Sequence, residues 1–90
     1  MKISVEISLY PLADNYLPII DGFIKSLYKY PWLDVHTTHL NTLIIGDYDA
    51  VMTALQDEVF NTLQETNQAS FVIKILKGDA REEVNLDGYR

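Results

Sequence analysis

Apolar and polar residues alternate along residues 2–10, and this period of two predicts a β-strand with one buried face. The apolar face carries Ile3, Val5, Ile7 and Leu9, and the polar face carries Lys2, Ser4, Glu6, Ser8 and Tyr10. We expect Pro11 to end the strand, because proline has no N–H to donate to a neighbouring strand. The first predicted element is therefore a strand whose polar side chains face away from the core.

Two later segments, from about residue 16 to 30 and from about residue 47 to 66, repeat their apolar residues at the spacing of an amphipathic helix. Pro18 is compatible only with the first turn of the first helix, so it fixes where that helix begins. Candidate N-caps are Asp14 or Asn15 for the first helix and Asp47 for the second. The stripes expected to face the core are Tyr16, Ile19, Ile20, Phe23, Ile24 and Leu27, then Val51, Met52, Leu55, Val59, Phe60 and Leu63.

The remaining strand signals are a hairpin between the helices and one strand after them. Residues 35–38 and 42–45 are rich in β-branched residues, and the turn is expected near residues 39–41, because Asn41 tolerates the left-handed conformation. Gly46 is expected to break the second hairpin strand, since glycine weakens strand interiors. Residues 70–77 form the last predicted strand.

The element order βαββαβ predicts an α+β, ferredoxin-like fold, because short connections and right-handed crossovers leave one dominant arrangement. That arrangement is a four-stranded antiparallel sheet with both helices on one face. We assign residues 1–78 to this domain and residues 79–90 to a polar C-terminal tail, which is expected to be mobile or to be shared with a neighbouring subunit.

The predicted sheet has apolar residues on both faces, although only one face is covered by helices. Leu43, Ile44 and Ile45 are consecutive, and so are most apolar residues of the last strand, interrupted only by Lys74. Strands buried on both sides have this composition. A large exposed apolar patch is uncommon on a monomer, so we predict self-association through the open sheet face, as a homodimer or homotetramer.

Composition narrows the possible partners. The 90 residues carry 13 acidic and 7 basic side chains, a net charge of −6. Nucleic acid and anionic membrane surfaces attract basic proteins, so neither is an expected partner. The chain has no cysteine, which excludes disulfides and thiolate chemistry and fits a cytoplasmic location. No apolar stretch approaches the ~20 residues that span a bilayer, and Glu6 interrupts the apolar run that a signal peptide needs.

Polar residues on the sheet face opposite the helices are the candidate binding residues. Alternation places seven polar side chains there: Glu6, Ser8, Tyr10, His36, Thr38, Thr42 and Lys74. The first strand lies beside the hairpin in this fold, so Ser8, Thr38 and Thr42 are expected to lie close together. Hydroxyls, a carboxylate and an aromatic ring among aliphatic side chains have the composition of a small-molecule pocket. The alternative is a half-exposed sheet with solvated polar positions, and spacing alone favours that interpretation.

Metal and catalytic sites have weaker support. His36 and His39 point to opposite faces of a strand, and the chain has no third histidine or cysteine to complete a zinc site. A Ser8–His36–Asp47 triad lacks a nucleophile-elbow motif, and Asp47 is better explained as a helix cap. Two alternatives stay open: a small isomerase with Lys74 or His36 as its acid or base, and a structural oligomer without a ligand. We expect no catalytic residue, no metal and no cofactor.

Several short segments resemble the YkoF-like family of thiamine- and hydroxymethylpyrimidine-binding proteins. They are Glu-Ile-Ser-Leu-Tyr-Pro-Leu at residues 6–12, Thr-His-Leu-Asn-Thr at 38–42 running into Gly-Asp-Tyr-Asp at 46–49, and Phe-Val-Ile-Lys-Ile at 71–75. The resemblance covers about residues 2–78 with similar spacings. It rests on the combination of segments, because each one is short.

The resemblance implies a ferredoxin-like domain that associates through its sheets. It also implies a non-catalytic protein that binds thiamine or its hydroxymethylpyrimidine moiety and acts in thiamine salvage, transport or sensing. The positions that match the family's motifs are Ser8, Thr38, Asn41 and Thr42. From the alternation we add Glu6, as an acceptor for the ligand's amino group, and Tyr10, as a stacking partner.

Overall fold

The computed structural model describes residues 1–82, which form four strands and two helices. In chain order the elements are β1 (Lys2–Pro11), α1 (Leu17–Leu27), β2 (Asp34–Thr37), β3 (Thr42–Asp47), α2 (Tyr48–Glu65) and β4 (Ala69–Lys77). The strands form one antiparallel sheet in the order β2-β3-β1-β4. This is the predicted α+β, ferredoxin-like fold, so the prediction of fold class is confirmed.

The hydrophobic core lies between the two helices and one face of the sheet. Ile3, Val5 and Ile7 of β1 point to that face and are 2%, 0% and 3% exposed. Ile44 of β3 lies opposite Val5 and is also fully buried. The helices cover these side chains with Phe23, Leu27, Val51, Ala54 and Leu55. Burial of apolar surface is the main force that holds such a domain together, and it fixes both helices on the same side of the sheet.

β1 ends at Pro11, as predicted, and Pro11 itself is the last residue of the strand. It pairs with Ala69 of β4, and the next residue still donates, from the Leu12 N–H to the Gln68 carbonyl at 3.0 Å. Even-numbered residues of β1 therefore direct their backbone groups toward β4. The N–H that Pro11 lacks would point to the opposite side, where no strand lies, so the ladder loses nothing.

Gly46 also lies inside a strand, and the prediction that it breaks the strand is wrong. It pairs with Ile3, and β3 continues to Asp47. A Cβ atom at Gly46 would lie 3.2 Å from both Leu33 Cδ2 and Val51 Cγ2. A larger residue would be crowded here because the core comes close to the strand, and not because the chain turns.

The helix starts differ from the predicted caps. Tyr16 occupies the N-cap position of α1 in place of Asp14 or Asn15, and its side chain makes no capping bond. Asp47 is the N-cap residue of α2, as predicted, but its side chain does not bond to the helix N–H groups. Its carboxylate instead accepts a hydrogen bond from the Met1 ammonium at 3.1 Å.

The buried side of α2 is narrower than predicted. Val51 and Leu55 are buried, but Phe60 and Leu63 are 58% and 45% exposed. In the second half of the helix the buried residue is Thr62. Among the described residues, no helix is both long and apolar enough to cross a membrane.

The segment after β4 covers one corner of the open sheet face. Ser4, Ile45 and Asp34 form a row across β1, β3 and β2. Ser4 Oγ donates to the Gly78 carbonyl and accepts from the Ala80 N–H, both at 2.8 Å, and Arg81 Nη1 donates to Asp34 Oδ2 at 2.7 Å. The middle of the row, Ile45, is consequently only 2% exposed although it faces away from the helices.

Arg81 fastens this segment through charged hydrogen bonds. Its guanidinium donates to both carboxylate oxygens of Asp79, each within 2.9 Å, and also contacts His36 Nε2 at 3.2 Å. These hydrogen bonds hold the pKa of Asp79 well below its usual range and raise the pKa of Arg81. The predicted tail at 79–90 thus begins with residues that contact the sheet, and its residues 83–90 lie outside the described part of the chain.

The edge strand β4 is the most exposed apolar element. Val72 and Leu76 on the open face are each 52% exposed, while Ile73 and Ile75 on the helix side are 41% and 53% exposed. The latter two border a groove of about 410 Å³ that α2 lines with Met52, Leu55, Gln56 and Val59. Both sides of this edge therefore present apolar surface to solvent.

Candidate functional site

A cleft opens in the sheet where β1 extends beyond β3. The last pair between these strands is Ile7 with Thr42, whereas β1 continues to Pro11 against β4. The place that β3 would fill is bounded by the loop at residues 38–41 and has a volume of about 260 Å³. Its floor is the apolar side of α1, formed by Ile20, Phe23 and Ile24.

Five of the six binding residues predicted from the sequence line this cleft. They are Ser8 and Tyr10 of β1, Thr38 and Asn41 of the loop, and Thr42 at the start of β3. The sixth, Glu6, lies next to it and accepts a hydrogen bond from Asn41 Nδ2 at 2.9 Å. Residues that are more than 30 positions apart in sequence are thus brought to one place, Asn41 and Glu6 being separated by 35.

Thr42 lies on the opposite face from the one predicted. It is paired with the buried Ile7, and directly opposed residues of antiparallel strands project to the same side. Its side chain therefore points toward the helices and is only 6% exposed. The error came from the phase of the alternation in β3, whose Leu43, Ile44 and Ile45 are apolar on both faces. Thr42 nevertheless lines the cleft, from the helix face of the sheet and not from the open face.

Internal hydrogen bonds hold the loop that forms the wall of the cleft. Thr38 Oγ1 accepts from the N–H groups of Leu40 and Asn41 at 3.1 and 3.2 Å, and it contacts Asn41 Oδ1 at 3.0 Å. The Thr38 N–H also donates to the Asn41 carbonyl at 2.9 Å. Among the described residues only Gly78 has a positive φ, so the left-handed conformation on which the turn prediction relied does not occur at Asn41. Asn41 serves through its side chain and not through a left-handed backbone.

Glu6 joins this loop to the sheet. Oε2 accepts from Asn41, and Oε1 lies 3.4 Å from Lys74 Nζ of β4. The Asn41 hydrogen bond, followed by the Lys74 ammonium, lowers the pKa of the Glu6 carboxyl. Both carboxylate oxygens are therefore already engaged. The arrangement gives Glu6 a positioning role toward the loop.

Two hydroxyls facing the cleft have no partner within residues 1–82. Ser8 Oγ approaches from the open face and Thr42 Oγ1 from the helix face, and neither forms a hydrogen bond with a described residue. The Tyr10 ring stands beside Ser8 on the open face and is 56% exposed. The cleft thus combines two available hydroxyls and an aromatic ring above an apolar floor, a composition suited to a flat, partly polar ring.

Sequence reasoning missed the floor of the cleft and part of its rim. Ile20, Phe23 and Ile24 were assigned only to the core, where Phe23 is indeed buried, whereas His39 was considered only as a metal ligand and Leu40 carried no signal. The gap left by the short β3 lets these α1 residues line the cleft, and the length of a strand is poorly encoded in its sequence. Leu40 at the loop tip is 93% exposed.

The alternative catalytic constellations do not assemble. Asp47 pairs with Lys2, six residues along β1 from Ser8, which separates the two by about 20 Å. His36 bonds to Asp34 at 2.8 Å, away from the cleft. The Lys74 side chain is 77% exposed, so it is not driven into an apolar environment as the isomerase alternative requires. Within residues 1–82 no three His, Cys, Asp or Glu side chains cluster to hold a metal.

The model of the YKOF-related family matches residues 2–76, most of the chain. The chain belongs to the YKOF-related family. The resemblance inferred from the three sequence segments is therefore confirmed. No protein of curated function matches the sequence.

Solved structures similar to this YKOF-related chain share its fold. A Streptococcus pneumoniae protein is 24% identical, with 89% of this chain and 90% of that chain covered and a TM-score of 0.80. A candidate thiamine biosynthesis or salvage protein of Thermotoga maritima is 18% identical over the full length of both chains, with a TM-score of 0.76. A domain of unknown function from Bacillus cereus is 14% identical, with 98% and 86% covered and a TM-score of 0.72. At these identities the likeness establishes the fold alone.

Proposed function

We propose that this protein is a non-catalytic, cytoplasmic binding domain for thiamine or its hydroxymethylpyrimidine moiety, acting in thiamine salvage, transport or sensing. The observation that carries the proposal is the cleft beyond the end of β3, which gathers Ser8, Tyr10, Thr38, Asn41 and Thr42 around one opening. Membership of the YKOF-related family and the thiamine-related name of the Thermotoga maritima protein support the ligand class.

The size of the cleft favours the pyrimidine moiety over the whole vitamin. Pockets for drug-sized ligands usually enclose roughly 300–1,000 Å³. A cleft of about 260 Å³ lies below that range and suits a single substituted ring. In this proposal the aminopyrimidine occupies the cleft, and the thiazolium part of thiamine extends toward solvent.

The residues of the cleft have two different roles: some contact the ligand, and others hold the loop in position. Ser8 and Thr42 offer hydroxyls from opposite faces of the sheet, and Tyr10 stacks on the exposed face of the ring. Thr38 and Asn41 fix the loop, because their side chains are already hydrogen-bonded to each other. Glu6 holds Asn41 and meets the ligand's amino group only if that group displaces this bond.

Calorimetric titration with hydroxymethylpyrimidine and with thiamine tests the proposal, with Thr42→Val as the informative variant. Thr42 Oγ1 has no partner among the described residues, so valine keeps the shape of the side chain and leaves the domain folded. Loss of one hydrogen bond to a ligand costs about 0.5–1.5 kcal/mol, or up to roughly tenfold in affinity. Thr53→Val, on the exposed side of α2, is the matched control and retains full affinity. A wild-type protein that takes up neither compound would disprove the assignment.

Self-association through the open sheet face forms the second part of the proposal, as a homodimer or homotetramer. The support is the apolar surface of β4, where Val72 and Leu76 remain half exposed while the corner at Ile45 is already covered. Native mass spectrometry reports both subunit number and any retained ligand. Leu76→Lys is expected to shift an oligomer toward monomers, while Leu63→Lys on α2 leaves it unchanged.

A structural oligomer without a ligand is the alternative function, and the exposure of β4 favours it independently of the cleft. The two functions give different results in the same experiments. An oligomer that binds neither pyrimidine nor thiamine supports the structural role. A monomer that binds hydroxymethylpyrimidine supports the binding role alone.

A further inference from the structure

The backbone of β1 alternates between its two neighbours, and this alternation identifies which groups face the cleft. The Leu12 N–H and the Lys2 carbonyl bond to residues 68 and 78 on the β4 side, at 3.0 and 2.9 Å. The Met1 carbonyl accepts from the Tyr48 N–H at 2.8 Å on the β3 side. Even-numbered residues therefore face β4 and odd-numbered residues face β3, without a bulge in either register.

Leu9 is the one residue beyond the end of β3 that directs both an N–H and a carbonyl into the cleft. Continuing the register would place Leu40 opposite it, but the loop turns away and Leu40 is 93% exposed. The next odd-numbered residue, Pro11, has no N–H. Within residues 1–82 neither backbone group of Leu9 has a hydrogen-bond partner on this side. The inner strand β1 thus has one unpaired N–H and one unpaired carbonyl, both of Leu9, at the edge of a cleft whose floor is apolar.

We propose that the Leu9 backbone forms two hydrogen bonds to the donor–acceptor edge of a planar nitrogen heterocycle. The ligand edge then takes the place of the backbone of an adjoining strand. This inference rests on the proposed function and names the part of the site that selects the ligand. In an aminopyrimidine a ring nitrogen that accepts lies beside an exocyclic amino group that donates. The Leu9 N–H donates to the ring nitrogen, and the Leu9 carbonyl accepts from the amino group. Extended backbone aims both groups in one direction, so a single residue forms both bonds.

The surroundings of Leu9 fit a ring that lies in the plane of the sheet. Tyr10 and Ser8 stand above that plane on the open face, whereas Thr42 and the α1 floor lie below it. The ring is then stacked from above and supported from below, while its polar edge meets the backbone. A ligand in this position completes the row of hydrogen bonds that β3 leaves unfinished.

The proposal makes a sharp distinction between two ligands of nearly equal shape. The 4-oxo analogue of hydroxymethylpyrimidine presents a ring N–H beside an oxygen, which reverses the pattern and sets donor against donor. Buried groups left unpaired reduce affinity, and we expect the 4-oxo compound to bind weaker by on the order of tenfold or more. Hydroxyl side chains alone would discriminate little, because a hydroxyl both donates and accepts.

A heteronuclear NMR titration of the full chain with hydroxymethylpyrimidine tests the inference directly. The Leu9 amide proton is expected to move downfield and to become protected from exchange. The Ser4 amide, which faces β4 near the other end of β1, serves as the internal control and changes little. A pair of variants gives the second test. Leu9→Pro removes the N–H without breaking the β4 ladder, and Leu9→Ala keeps it, so the proline variant should bind on the order of tenfold weaker than the alanine variant.

The outcomes separate this inference from the function on which it rests. Binding of hydroxymethylpyrimidine with an unchanged Leu9 amide and equal affinity for the 4-oxo analogue would overturn the role of Leu9 and leave the binding function standing. Absence of any uptake by the wild-type protein would remove both. Should Leu9→Pro fail to fold, the amide shift and the analogue comparison on the wild-type protein still decide.

Discussion

The close approach of the core to Gly46 predicts that adding one methyl group there destabilises the domain. In Gly46→Ala the new Cβ would meet Leu33 Cδ2 and Val51 Cγ2 at 3.2 Å and the Trp32 carbonyl at 3.6 Å. Both side chains are fixed in the core, at 8% and 0% exposure, so they cannot swing aside into solvent. The contact must therefore be relieved by a shift of β3 or α2.

The magnitude follows from two opposing effects. Overpacking a core by one carbon typically costs about 1–3 kcal/mol. Replacing glycine by alanine stabilises by about 0.4–1 kcal/mol through the unfolded chain. The net expectation is a loss of roughly 1–2 kcal/mol in the free energy of unfolding. For a domain of this length each kcal/mol lowers Tm by about 4–8 °C.

Gly22→Ala is the matched control, because it makes the same chemical change where there is room. Gly22 lies inside α1, and no atom stands within 4 Å of the position of its Cβ. Glycine in a helix interior costs about 0.5–1 kcal/mol relative to alanine, so this variant should be more stable than the wild type. The two variants should therefore shift the unfolding midpoint in opposite directions.

Urea denaturation followed by circular dichroism measures both variants with a common m value. In the double variant Gly46→Ala/Val51→Ala one of the clashing atoms is gone, so its loss of stability should be smaller than the sum of the single losses. The reasoning is refuted if Gly46→Ala proves as stable as Gly22→Ala.

Three further predictions concern the sheet and its covering segment. Ser4→Ala leaves the Gly78 carbonyl and Ala80 N–H without their partner, so it should cost about 1–3 kcal/mol in thermal unfolding; an equal effect of Ser70→Ala would contradict this. The lowered pKa of Asp79 gives stability that is complete above the ordinary value of 3.8 and is lost as pH falls below it; acid titration of Asp79→Asn should lack this component. Asn41→Ala should speed hydrogen exchange of the Thr38 and Leu40 amides and weaken ligand binding; unchanged exchange would contradict it.

The sequence was sufficient for the parts of the fold that depend on a clear period. Alternation in residues 2–10 placed Glu6, Ser8 and Tyr10 on the open face, where the structure has them. Alternation could not place Thr42, because Leu43, Ile44 and Ile45 give β3 no polar face to set its phase. Its side was determined by pairing with β1 and β2, which is a property of the register and not of the residues themselves.

Other features depend on contacts between distant residues. Arg81 and Asp34 are 47 positions apart, and Ala80 and Ser4 are 76 apart, so nothing local marks residues 78–82 as part of the sheet's cover. The cleft is a similar case. Its residues were found from their polarity and from a family resemblance, but its shape arises because β3 starts four residues short of the end of β1. The sequence of β1 does not indicate where the neighbouring β3 begins.

The shortness of β2 has a consequence for how tightly the cleft can hold anything. This edge strand has four residues, of which only Val35 is partly buried, and it carries the loop that walls the cleft. Segments with few buried contacts open at low free energy, and every such opening removes the wall. The affinity of the cleft for a ligand therefore depends on the local stability of the hairpin. Because Arg81 forms an ion pair with Asp34 at the far end of β2, salt that weakens this pair should lower that stability and shorten the residence time of a bound ring.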